Sequence, residues 1–110
     1  MIDWKRVCEL REEIGPDEFD EVVDLFIEEV EMVMNRLRTD PRPGLYVEDL
    51  HFLKGCAMNI GFKLLARNCL TGEGIAAGGN PERVDIAGII ECYETSKQAF
   101  LEGVEGGLAA

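Results

Sequence analysis

Between Asp17 and Arg38 the residues Phe19, Val22, Val23, Phe26, Val30, Val33 and Leu37 recur at intervals of three and four. That spacing puts them on one side of an α-helix and predicts a long helix with a single core-facing stripe. The acids of the segment (Asp20, Glu21, Asp24, Glu28, Glu29 and Glu31) fall mostly off the stripe and are expected in solvent. Nowhere does the chain show the period-two alternation of a strand, so the expectation is an all-α protein.

The punctuation divides the rest into helices. A short one is predicted from Asp3, a plausible N-cap, to Ile14. Gly15 ends it and Pro16 opens the next within its first turn. Pro41-Arg42-Pro43-Gly44 forces a turn before a third helix, Tyr46 to Ile60, with Tyr46, Leu50, Leu53, Ala57 and Ile60 on one side. Gly61 interrupts the chain before a fourth, Lys63 to Ala77, which buries Leu65, Cys69 and Ala76. Gly72 and Gly74 are expected to weaken it. After Gly78-Gly79, Asn80 is the expected cap and Pro81 the first helical position of a last helix carrying Ile86, Ile90, Tyr93, Phe100, Leu101 and Val104. The tail beyond Gly106-Gly107 is expected to fray. The predicted architecture is an antiparallel four-helix bundle with an additional short N-terminal helix, one domain over residues 1–110.

Composition narrows the function classes. A net charge of −11 argues against nucleic acid, which needs a basic footprint. No apolar run approaches a membrane span, and Met1 to Arg6 does not open a signal peptide, so a cytoplasmic protein is expected. Cys8, Cys56, Cys69 and Cys92 have no metal-knuckle spacing and read as reduced thiols. The segment 41–70 alone has more bases (Arg42, Lys54, Lys63, Arg67) than acids (Glu48, Asp49), and it surrounds the sole histidine, His51.

On the third helix, at 100° per residue, His51 points roughly 140° from the apolar centre and is expected to face solvent. Lys54 and Gly55, three and four residues on, are its neighbours on that surface. An exposed imidazole titrates near neutrality, so a neutral nucleophilic fraction is available at cellular pH. A nearby cation suits the equatorial oxygens of a phosphoryl group, and a glycine beside the ring allows close approach.

The segment His51-Phe52-Leu53-Lys54-Gly55-Cys56-Ala57-Met58-Asn59-Ile60-Gly61-Phe62 resembles the signature of histidine-containing phosphotransfer (HPt) domains, His-x-Leu-Lys-Gly-Ser-Ala-x-Asn-Leu-Gly-Ala. His51, Leu53, Lys54, Gly55, Ala57, Asn59 and Gly61 match it. Leu65, Ala66, Cys69 and Glu73 also fall where the family often has those residues, so the resemblance covers nearly the whole chain. It departs at Cys56 for serine, Phe62 for alanine and Gly72 for leucine.

The resemblance implies that His51 accepts phosphate and that Lys54 assists it. It also implies that a receiver domain docks over Gly55 and the exposed side of the helix, where Phe52 and Met58 either form an apolar patch or pack against the first helix. Phosphate would come from and go to receiver aspartates of hybrid histidine kinases and response regulators. Magnesium would come with the receiver, and the chain itself, expected as a monomer, would need no cofactor. Such a chain is a phosphoryl carrier; no nucleotide loop or kinase motif set marks an autonomous kinase.

Two other readings compete with this one. A receiver-binding module without transfer is disfavoured because His51, Lys54 and Gly55 are all present. Glu48-Asp49-Leu50-His51 matches one Glu-x-x-His motif of di-iron bundles, but such a site needs two, facing the core.

Overall fold

The computed structural model describes residues 1–105, and the expected fraying beyond Gly106 lies outside them. It is an all-α bundle: α1 Trp4–Ile14, α2 Pro16–Thr39, α3 Tyr46–Ile60, α4 Lys63–Ala77 and α5 Ile86–Glu105, with 3₁₀ turns at Pro43–Leu45 and Pro81–Arg83. No strand occurs among the described residues. Helices α2 to α5 pack each against the next, and α2 also against α5, which closes the ring; α1 lies against α2 and α3. Among the described residues no helix is long and apolar enough to cross a membrane.

Local chemistry sets the helix ends. Asp3 caps α1 by accepting from the Arg6 amide at 3.2 Å. Gly15, at φ +87°, reverses the chain so that Pro16 opens α2. Gly61 ends α3 at φ +96°, a left-handed conformation that a side chain resists. A Cβ there would also stand 2.9 Å from the Asp3 carbonyl, so Gly61 both turns the chain and lets the start of α1 close over it.

The last helix departs from expectation. Pro81 opens one 3₁₀ turn, and Asn80 makes no side-chain cap. Instead Asp85 accepts from the Gly88 amide at 2.9 Å, and the helix proper starts at Ile86. A carboxylate three residues before a free amide is the stronger nucleation signal.

Along α2 the buried residues are Phe19, Val23, Phe26, Val30, Met34 and Leu37. Met34 is fully buried where Val33, expected in the core, is only partly so, and Val22 is exposed on the rim of a groove beside α1 and α3. The stripe continues from Phe26 in steps of four, four and three, which carries Met34 rather than Val33 to its centre.

Phe62, the departure from the familiar alanine, is fully buried and edge-on to Phe26 at 5.1 Å and tilted to Phe100 at 5.3 Å. Trp4 stacks on Phe100 at 6.0 Å, in space left by Gly103. This aromatic column ties α1, α2, the α3–α4 junction and α5 together at one end of the bundle.

Gly72 is a packing residue and not a weak point of α4. A Cβ at this position would meet Leu50 Cδ1 at 2.9 Å, Val84 Cγ1 at 3.1 Å and Ile89 Cδ1 at 3.3 Å. Its bare backbone therefore lets α4 run close along α3, the tightest helix pair in the molecule, and this closeness builds the site below.

Candidate functional site

α3 presents its apolar side inward through Tyr46, Leu50, Leu53, Ala57 and Ile60, all buried. His51 therefore lies on the outer face, and its side chain is 70% exposed. The helix is anchored two residues earlier. Asp49, buried in the first turn, receives a bidentate pair of hydrogen bonds from Arg36 of α2 at 2.8 and 2.6 Å. This planar fork fixes the rotation of α3 against α2, and with it the direction in which His51 points.

The close approach of α4 brings Glu73 to the same place. Its Oε2 is 3.1 Å from His51 Nδ1, and its Oε1 accepts from Lys54 Nζ at 2.8 Å. One carboxylate thus bridges the histidine and the lysine. The hydrogen bond from Lys54, followed by that from His51, holds the Glu73 carboxyl below its ordinary range against the opposing effect of burial. Glu73 is consequently an anion at neutral pH. In the tautomer with its proton on Nδ1, the imidazole donates to Glu73, and the lone pair of Nε2 is free on the exposed side.

Gly55, one turn beyond His51, is exposed, and a Cβ added there would meet nothing within 4 Å. Phe52 is 39% exposed and Met58 61% exposed. Both are exposed on the outward side of α3. Cys56 is half-buried, and it lines a groove with Val22, Leu25 and Glu29 of α2. Burial, aided by the Glu29 charge, raises its thiol pKa, so it carries little thiolate. Cys69, fully buried beneath the site on α4, is pushed up to about 12 by burial. All four cysteines are free.

The structure therefore brings His51, Lys54 and Gly55 together on one surface, with Phe52 and Met58 beside them. The residue whose role the sequence left unassigned is Glu73. It matched the family pattern in position, but its contact with His51 depends on the distance between two helices. Glu48, the acid of the Glu-x-x-His string, is exposed, and Asp49 is engaged by Arg36. Among the described residues no group of three or more His, Cys, Asp or Glu side chains is placed to hold a metal ion.

Compared with family models, curated proteins and solved structures, the chain matches none.

Proposed function

We propose that this protein is a histidine phosphotransfer module, in which Nε2 of His51 accepts a phosphoryl group from a receiver-domain aspartate and passes it to another receiver. The observation that carries the reading is the Glu73 bridge, which orients an exposed imidazole and sets a cation beside it.

The chemistry follows from that arrangement. With the proton on Nδ1 held by Glu73, Nε2 attacks the phosphorus of an aspartyl phosphate in line with the P–O bond. The N–P bond forms as the P–O bond breaks, and the donor aspartate leaves as a carboxylate. No proton need leave the ring, which becomes a phosphorylated imidazolium whose positive charge faces the Glu73 carboxylate. Lys54 supplies positive charge near the equatorial oxygens, where negative charge is greatest. The reverse sequence returns the phosphoryl group to an aspartate. Gly55 provides the clearance that brings the donor within bonding distance, and Phe52 and Met58 offer apolar contact around it.

The test is to incubate the chain with a phosphorylated receiver and follow mass and acid lability. One phosphoryl group is expected, lost in acid and absent from His51→Gln. Label that survives this substitution, or that withstands acid as a phosphoserine does, overturns the reading.

A further inference from the structure

The surface around His51 changes sign from one flank of α3 to the other. On the α4 flank, Lys63 and Arg67 are exposed, and neither makes an ion pair with a described residue. Arg67 precedes Glu73 on the same helix by about 9 Å along the axis, at 1.5 Å per residue. Between them Leu70 is 57% exposed. Glu73 is the sole acid of α4, and Lys54 and His51 engage it, so nothing on that helix neutralises the two free cations.

The α2 flank is the opposite. Glu21 and Glu28 are exposed on the outer face of α2, and Glu29, also exposed, lies across a groove from Cys56 and Asn59 of α3. Between Arg11 and Arg36 the chain has no base at all. His51 thus sits where a small basic edge meets an acidic one, on a molecule whose net charge is −11.

An aspartyl phosphate is an anion, and over most of this molecule it meets repulsion. The α4 edge is the attractive approach. The Debye length is about 8 Å at physiological salt but about 30 Å at about 0.01 M, so at low salt Arg67 and Lys63 act on a group arriving at His51, and at high salt they are screened.

We propose that this polarity fixes the orientation of the docked partner: its anionic phosphorylation site crosses the Lys63–Arg67 edge onto His51, while a basic flank of the same partner lies over Glu28 and Glu29. The proposal rests on the phosphotransfer reading of His51. The reversed pose sets acid against acid and base against base, so the two edges together reject it. Leu70 of α4 and Met58 of α3, both exposed, offer apolar contact.

The experiment uses a receiver domain that exchanges phosphate with the unaltered chain. Second-order transfer rates are measured at low and high salt for Lys63→Glu/Arg67→Glu and for Glu28→Lys/Glu29→Lys, beside thermal midpoints. None of these four residues touches His51. Both double variants are expected to lose at least tenfold in rate at low salt, with the loss closing at high salt and midpoints near native.

The two variants move net charge by equal amounts in opposite directions. If bulk repulsion alone governs the encounter, the α2 variant speeds transfer while the α4 variant slows it, and the proposal is overturned. Unchanged rates in both overturn it as well. Should a midpoint collapse, the single changes Arg67→Glu and Glu28→Lys carry the same comparison. If no receiver phosphorylates the unaltered chain, the reading of His51 fails first, and the orientation falls with it.

Discussion

Oε2 of Glu73 lies 3.1 Å from Nδ1 of His51, although the two stand 22 positions apart on different helices. A carboxylate so placed fixes the tautomer of the ring, its rotation about the Cβ–Cγ bond and the charge it can bear. Glu73→Ala should therefore slow transfer from a phosphorylated receiver by about tenfold or more, the lower end of the scale seen when the hydrogen-bond partner that orients a metal-ligating histidine is removed. Glu73→Gln keeps an acceptor oxygen but no charge, so it should fall between. Rapid-quench transfer assays give the order. A Glu73→Ala protein that transfers at the native rate would remove Glu73 from the mechanism.

Lys54 acts on two groups, and the two effects can be measured separately. On the phosphotransfer reading its ammonium supplies positive charge to the incoming phosphoryl oxygens, so Lys54→Ala should slow transfer by about tenfold or more. Its hydrogen bond is also the largest cause of the lowered Glu73 pKa, so the same variant should return that carboxyl toward its ordinary range. Carboxyl titration by NMR reads this directly. The sign for stability follows. A carboxyl with a depressed folded-state pKa stabilises above its unfolded pKa, and that contribution is lost as pH falls through the folded value. The gap in thermal midpoint between native protein and Lys54→Ala should therefore be open at neutral pH and close at pH values below the ordinary carboxylate range. A gap that persists unchanged into strong acid would mean that Lys54 stabilises through its aliphatic stem instead.

What the chain discloses about itself divides along a physical line. Asp3, Gly15, Pro16 and Gly61 act within a few residues of their own position, and the helix ends they mark are found where their chemistry predicts. The outward direction of His51 is also local, since it follows from the period of α3 alone. Features that need two elements were not legible. Periodicity reads Val33 into the stripe, but Met34, four residues after Val30, is the one that neighbouring helices cover fully, while Val33 is only partly buried. Asn80-Pro81 looked like a helix start until Asp85, with a better-placed carboxylate, took that role. The contact from Glu73 to His51 depends on how closely α3 and α4 approach, and that distance is set by Gly72, which read in sequence as a defect.

Gly55 separates clearance for a partner from helix propensity. Nothing surrounds its Cα on the outer face, so Gly55→Ala should stabilise the fold by up to about 1 kcal/mol. Gly55→Gln should likewise keep a native or raised midpoint. Its side chain, however, fills the space beside His51 through which, on the phosphotransfer reading, a receiver would bring its aspartate, and transfer should be strongly impaired. Calorimetry with a transfer assay on the same samples checks both halves. Native transfer by a well-folded Gly55→Gln protein would show that the partner does not pass over this position.

Gly72 is the counterpart, and it should answer with the opposite sign. Propensity alone favours alanine over glycine in a helix interior by up to about 1 kcal/mol. Here, however, the added methyl would face Leu50 Cδ1 at 2.9 Å and Val84 Cγ1 at 3.1 Å, with Ile89 close behind. Leu50 is fully buried, so it has little room to turn away. Overpacking of this kind typically costs about 1–3 kcal/mol, which exceeds the propensity gain. Gly72→Ala should therefore lower the thermal midpoint where Gly55→Ala raises it. The functional consequence is also specific. Forcing α4 away from α3 lengthens the Glu73 contact to His51, so the variant should lose transfer rate even at temperatures where it remains folded. The titration of Glu73 in this variant should shift up as its partners recede. A Gly72→Ala protein with a raised midpoint and native transfer would mean that the two helices have slack at this level, and that the Glu73 bridge is held by something other than their close packing.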